Sequence, residues 1–206
     1  MHYLVLGGET EWETPLDTHA DWLARFAAEQ PVQTNEVGRR APLARGVAAT
    51  GRSRVDLLEL GCSAGLLLYL DGPFTVTRRR GIDLHPVDVT TEGGARLLEA
   101  FIWPSQPERV ERLRAAIDVA RRDPPELIQG DYVDLVGDHV GKKTVVLTSV
   151  TTMYLPDGRY ELLCEKLAGV DWVSLEWPRH DHDYEGMQLS LNGRVLEEHV
   201  DFHGAG

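Results

Sequence analysis

The chain has 206 residues, 42% of them apolar, and a formal net charge of −12 from 33 acidic and 21 basic side chains. That is the length of one domain with enough apolar content for one buried core, which excludes a disordered chain, and its acidity disfavours duplex nucleic acid and anionic membrane surfaces as partners. No apolar run approaches the roughly 18–20 residues that span a bilayer, the opening Met1–Leu6 lacks the charged n-region of a signal peptide, and Cys62 and Cys164 form neither a disulfide framework nor a zinc spacing.

In chain order, periodicity predicts a helix over 18–29, with Thr18 and Asp21 at capping-box spacing, Trp22, Leu23 and Phe26 as its apolar stripe, and Pro31 as its stop. A second helix is predicted from Glu36 to Ala49, with Gly51 past its end. Val55–Leu60 has strand length and leads through Gly61-Cys62-Ser63-Ala64-Gly65 into a leucine-rich stretch, 66–70, read as helix. A strand follows near 76–83, then a helix over 93–102. The next helix is predicted with Ser105 at the N-cap, Pro107 in the first turn, Glu108 three residues after the cap, and Val110, Leu113, Ile117 and Ala120 as its stripe. Strands are predicted near 126–129 and 144–150, a helix from an Asp157 cap to Gly169, and a strand over 170–176. Two last strands, 187–191 and 194–200, flank Asn192-Gly193, a strong hairpin signal. The alternation specifies a single cytoplasmic α/β domain with a mostly parallel sheet, residues 1–50 forming an N-terminal helical cap and 51–206 the core.

The chemistry centres on Glu59 followed by Gly61-x-x-x-Gly65. A glycine-rich turn lets the backbone approach a ligand closely, and in a doubly wound sheet it lies at the carboxyl end of a strand, where ligands bind. A dinucleotide fingerprint needs G-x-G-x-x-G/A, which this run lacks. An acidic strand residue followed by G-x-x-x-G resembles S-adenosylmethionine sites instead. Asp83, ending the next strand, is placed to accept from both ribose hydroxyls. Gly130-Asp131-Tyr132 resembles the adenine-contacting acidic turn of such enzymes, and the segment from Ser149 to Pro156 lies where they line the transfer site.

Four runs resemble the DUF2332 family, a largely uncharacterised group similar to class I methyltransferases. They are Pro31-Val32-Gln33-Thr34-Asn35-Glu36-Val37-Gly38-Arg39, Leu58-Glu59-Leu60-Gly61-Cys62-Ser63-Ala64-Gly65-Leu66, Gly81-Ile82-Asp83-Leu84-His85-Pro86-Val87-Asp88-Val89-Thr90 and Phe101-Ile102-Trp103-Pro104-Ser105-Gln106-Pro107-Glu108-Arg109. Trp172–Trp177 resembles the family's late strand. The resemblance covers roughly 30–204 and implies a Rossmann-like class I methyltransferase fold, a seven-stranded sheet ending in an antiparallel hairpin. Members carry a longer helical N-terminal region and a longer stretch after the glycine loop. A shortened helical layer would leave apolar surface that a two-fold partner covers, so a homodimer is expected.

The candidate cofactor residues for S-adenosylmethionine are Glu59, Gly61, Cys62, Ser63, Gly65, Asp83, Leu84, Asp131, Tyr132 and Ser149. Gln33, Asn35, Trp103 and Gln106 are candidates to hold a small-molecule substrate, and Tyr154, Glu36 and Glu176 to act in catalysis, with His85 also at the pocket mouth. Each has a plainer reading. Cys62 is a packing residue, since nothing activates it as a nucleophile. Asp131 is a turn former, Gln33–Glu36 an N-cap cluster, and Trp103 a core residue. Arg78-Arg79-Arg80 is a solvated strand edge. His180-Asp181-His182-Asp183 is a polar loop, and no metal is expected. Three rival functions remain: a cyclase or lyase acting on the aminobutyryl chain and releasing methylthioadenosine, a non-catalytic S-adenosylmethionine-binding subunit, and a dehydrogenase, the last disfavoured by the glycine pattern.

Overall fold

The computed structural model describes residues 1–29, 33, 36–181 and 183–203. Pro31, Asn35 and His182 lie outside the described residues. In chain order the elements are α1 (His2–Leu6), α2 (Ala20–Glu29), α3 (Arg40–Ala49), β1 (Arg54–Leu60), β2 (Thr75–Asp83), α4 (Glu92–Ala100), α5 (Pro107–Arg122), β3 (Glu126–Gln129), α6 (Tyr132–His139), β4 (Thr144–Ser149), α7 (Asp157–Lys166), β5 (Asp171–Glu176), β6 (Met187–Leu191) and β7 (Arg194–Val200). Contacts divide the chain into two units: Met1–Asn35 with Val87–Pro124, and Glu36–Pro86 with Pro125–Gly206.

The second unit carries a seven-stranded sheet in the order β3-β2-β1-β4-β5-β6-β7. β1 to β5 run parallel, β6 pairs antiparallel with β5, and β7 antiparallel with β6. This is the predicted architecture. β1 is apolar on consecutive residues because both its faces are covered. Leu57 joins Leu43, Ala44 and Val47 of α3 on one face, together with Leu147, Val173, Leu175 and Leu189. Gly46 lets α3 approach β5, since a Cβ there would stand 2.4 Å from Val173 Cγ1. Leu58 and Leu60 face the other way, with Ile82 and Val146, against Val133 and Val136 of α6 and Leu163 of α7. The Asn192-Gly193 turn has φ of 53° and 78°, the doubly left-handed geometry of the tightest hairpins. Asn192 Oδ1 also accepts from the Trp172 amide at 2.8 Å, tying the turn to β5.

The first unit is helical. Trp22 and Phe26 of α2 stack at 4.6 Å, Tyr3 of α1 lies 5.2 Å from Phe26, and Arg96 of α4 sits 4.0 Å over the Tyr3 ring. No helix among the described residues is long and apolar enough to cross a membrane.

Several local expectations need correcting. The stretch 66–70 is not an α-helix; only Leu66–Leu68 forms a 3-10 turn. Just fourteen residues, 61–74, join β1 to β2, and Leu66 to Leu70 are all buried, so the crossover is filled by apolar packing rather than by a helix with a solvated face. Ser105 does not cap α5. Pro107, which has no amide hydrogen to donate, takes the first helical position and makes Gln106 the N-cap. Likewise Asp157 is the first residue of α7 and Pro156 its N-cap. Thr18 lies inside a 3-10 turn, Leu16–His19, ahead of α2. The short helices α1 and α6 were not anticipated.

Candidate functional site

β1 ends in a turn of three left-handed residues, Gly61 (φ 67°), Ser63 (φ 49°) and Gly65 (φ 67°). At Gly61 any side chain would force a shift, because a Cβ would fall 2.1 Å from Thr151 Oγ1. The turn is tied to β2 through Asp83, whose Oδ2 accepts from the Ser63 amide at 2.7 Å while Oδ1 accepts from the His85 amide at 2.8 Å. Gly61 N donates to Ile82 O at 2.8 Å. Cys62 lies against Gly81, where a Cβ would meet its Sγ at 2.3 Å. Burial above all, then the Glu59 and Asp83 charges, pushes its thiol well up, which favours the packing role over a nucleophilic one. Leu84, beyond Asp83, is exposed.

Three polar atoms lie beneath this turn. In the parallel register Glu59 stands beside Leu147 and Ser149 beside Leu175, so both share the sheet face covered by α3. Arg40 opens α3; its Nε donates to Leu66 O at 2.7 Å and its guanidinium lies 5.6 Å over the Tyr69 ring. Arg40 Nη2, Glu59 Oε2 and Ser149 Oγ are buried and find no hydrogen-bond partner among the described residues. Burial first, then Asp83, pushes the Glu59 carboxyl well up, against the pull of Arg40. Burial likewise lowers Arg40, with Glu59 opposing it. Unpartnered buried polar groups of this kind are destabilising by about 1–3 kcal/mol each. A cation-bearing and an anion-bearing group that feel each other's charge, each with an unpartnered buried atom, match a ligand that carries both an ammonium and a carboxylate.

The loop after β4 closes over the glycine turn. Val150 is held at φ 55°, an uncommon conformation for a β-branched residue. Glu176, at the end of β5, accepts from the Thr151 amide with both oxygens at 3.1 Å and from the Thr152 amide at 3.2 Å. Burial pushes its carboxyl up to about 7, opposed by those amides and by the nearby Arg39 charge. The Tyr132 hydroxyl donates to Thr151 O at 3.3 Å, and burial raises the phenol to about 12.

Glu59, the glycine turn, Asp83, Tyr132, Ser149 and Glu176 therefore lie at or just past the carboxyl ends of β1, β2, β3, β4 and β5. Other candidates are engaged elsewhere. Asp131 caps α6, accepting from the Val133 amide at 2.8 Å, and its second oxygen pairs with Arg159 at 2.6 Å. Glu36 is buried, accepting from the Gly38 amide at 3.1 Å and contacting His203 Nδ1 at 3.0 Å. Tyr154 is 74% exposed. In the helical unit, Gln33 is buried and Trp103 is 72% exposed, so Trp103 is no core residue. Gln106 accepts from Arg109 at 2.6 Å. Asn35 is outside the described residues. Among the described residues no group of three His, Cys, Asp or Glu side chains could hold a metal. Arg40 was missed by sequence reasoning, since only the docking of α3 on the sheet brings it to Glu59.

The family described as "Uncharacterized protein conserved in bacteria (DUF2332)" matches residues 9–73 and 72–205. The two matched segments meet at Gly72-Pro73, between the glycine turn and β2. No curated protein matches. Among solved structures, the chain is similar to a "DhpI-SAM-HEP complex" at 17% identity and TM-score 0.37, over 84% of this chain and 70% of that one. It is similar to magnesium protoporphyrin IX methyltransferase (ChlM) from Synechocystis PCC 6803 with bound SAM at 14% identity and TM-score 0.41, over 82% and 80%. A third is the glycopeptide N-methyltransferase MtfA with S-adenosyl-L-homocysteine, at 17% identity and TM-score 0.37, over 86% and 69%.

Proposed function

This chain belongs to the DUF2332 family, and we propose that it is an S-adenosylmethionine-dependent enzyme that transfers a methyl group to a small molecule. The observation that carries this reading is the trio of buried, unpartnered polar atoms on Arg40, Glu59 and Ser149 beside the left-handed turn. In this reading Arg40 takes the carboxylate of the cofactor's methionyl end, Glu59 accepts from its ammonium, and Ser149 supplies a hydroxyl. Gly61 and Gly65 allow close backbone approach, and Asp83, already braced by two amides, accepts from the ribose hydroxyls. The three-residue 3-10 turn after Gly65 supports the same choice. A pyrophosphate is bound by the amides of a helix N-terminus, which this crossover lacks, whereas the proposed ligand has no phosphate.

When bound, the cofactor supplies an electrophilic methyl group on a sulfonium. The chain contributes orientation and shielding from water, the main sources of acceleration for an in-line displacement. Glu176 positions the Thr151–Thr152 loop rather than acting as a base, because its oxygens hold both amides. Tyr132, with its phenol raised to about 12, keeps its proton at neutral pH.

Calorimetric titration with S-adenosylhomocysteine tests the reading. We expect binding, weakened by about 1.5–3 kcal/mol in each of Arg40→Met and Asp83→Ala, the range for a hydrogen bond to a charged group. Mass spectrometry after incubation with S-adenosylmethionine and an acceptor should detect S-adenosylhomocysteine. Methylthioadenosine would point to attack on the aminobutyryl chain, and no affinity for either nucleoside would overturn the proposal.

A further inference from the structure

Past the ends of β4 and β5 the sheet unit holds a cavity of about 280 Å3 lined by Met153, Trp177, Pro178, Arg179, Asp181 and Tyr184. It adjoins the site just described by chain connectivity, since Met153 follows Thr152 and Trp177 follows Glu176, the pair joined by hydrogen bonding. Two of its walls are aromatic, and each ring is backed by another. Trp177 lies 4.6 Å from Phe202, and Tyr184 stacks at 4.7 Å and 6° on His199, whose amide donates to the Tyr184 hydroxyl at 3.0 Å. Met153 and Pro178 add apolar surface.

The charges around the cavity are unequal in what they offer. Arg179 is already committed. Its Nη1 donates to Thr152 O at 2.6 Å, and its Nη2 to Leu155 O and Asp157 Oδ1, both at 2.8 Å. Its guanidinium also lies 4.3 Å over the Tyr160 ring. Asp157 neutralises it, so it presents little attraction to an anion. Asp181 is exposed, its side chain accepting at Oδ1 from the Asp183 amide at 3.2 Å, and Asp183 and Glu185 follow it in the same loop. Aromatic faces carry negative potential and attract cations, and the attraction grows when the cation is partly desolvated.

We propose that this cavity receives the methyl acceptor and that the acceptor is a small organic amine, held as its ammonium ion between the Trp177 and Tyr184 rings with Asp181 as counter-charge. This rests on the methyl-transfer reading. The ammonium first releases one proton to solvent. The freed nitrogen lone pair then forms the N–C bond to the methyl carbon while the S–C bond breaks and its electron pair stays on sulfur. The product is again an ammonium, so the same walls hold acceptor and product. Methylation exchanges a hydrated N–H for a methyl group, which aromatic and thioether walls accommodate.

The test is calorimetric titration of the full chain, in the presence and absence of S-adenosylhomocysteine, with benzyltrimethylammonium as cationic probe and 3-phenylpropionate as an anion of similar size. We expect the cation to bind, the anion to bind at least tenfold more weakly, and Asp181→Asn and Trp177→Leu each to weaken the cation by roughly fivefold, the scale of a partly exposed charge or a cation–π contact. Asp181 is exposed, so its variant keeps the test valid if Trp177→Leu fails to fold. Equal affinity for the two probes, or cation binding unchanged by Asp181→Asn, would overturn the inference. Binding of S-adenosylhomocysteine without binding of the cation would overturn the inference and leave the cofactor reading standing. Cation binding without any S-adenosylhomocysteine binding would support an ammonium site and overturn the methyl-transfer reading.

Discussion

Replacing Glu176 by Gln should change how stability depends on pH. Burial holds this carboxyl at about 7 against an ordinary value of 4.5, so the folded protein prefers it protonated. Below about pH 4.5 the group is protonated in both the folded and unfolded chain and the fold carries no penalty. As pH rises through the interval from about 4.5 to about 7, the unfolded chain ionises first and folding stability falls; above about 7 the loss is complete. At ~1.36 kcal/mol per pH unit, that interval amounts to about 3 kcal/mol. Gln occupies the same space, keeps an oxygen for the Thr151 and Thr152 amides, and cannot ionise. Urea unfolding of both proteins from pH 4 to pH 8 should therefore show the variant gaining about 3 kcal/mol on the wild type across that range. Taking the difference between the two proteins removes the titration of Glu59 and every other group they share. A difference that stays constant with pH would refute the assignment of a raised carboxyl to Glu176.

Gly61→Ala should lower stability by about 2–4 kcal/mol, from the left-handed backbone together with overpacking against Thr151; thermal unfolding would measure it, and Thr151→Ala in the same chain should restore part of the loss. Asp131→Ala should remove about 1 kcal/mol as a lost helix cap and leave S-adenosylhomocysteine affinity unchanged; weakened binding at unchanged stability would instead place that carboxylate on the ligand. Asn192→Ala should destabilise the protein by about 1–2 kcal/mol in chemical denaturation, because Ala tolerates a positive φ poorly and cannot accept from the Trp172 amide.

The features legible in the sequence were those set by short-range chemistry. Asn192-Gly193 requires positive φ at consecutive residues, so it announces a hairpin without help from the rest of the chain. Val55–Leu60 could be read as a doubly buried central strand because its apolar run has no polar alternation apart from Asp56 and Glu59. What was misread depended on distant partners. Leu66–Leu70 carries good helix formers, yet the short connection to β2 and burial on all sides leave room for one tight turn. Ser105 has the side chain of a cap, but Pro107 shifts the helix start by one residue. At the site, the acidic residues were legible as types and their obligations were not. Asp131 meets Arg159 from α7, and Glu36 meets His203 near the far end of the chain. Arg40, placed among charged and small residues in a weakly patterned helix, gave no signal of its own until α3 was laid across β5.

The two open margins of the sheet also govern how copies of this protein can meet. β3 is four residues long, and Arg78 reaches from β2 to pair with its Glu126 at 2.6 Å. At the opposite margin, β7 carries Arg194, Glu197, Glu198 and His199, and its pairing with β6 slips register twice, between Met187 and Leu189 and again between Leu189 and Ser190. A short strand, a row of charges and an irregular ladder each hinder recruitment of a further strand. Fibril-like growth by strand addition is therefore discouraged at both ends.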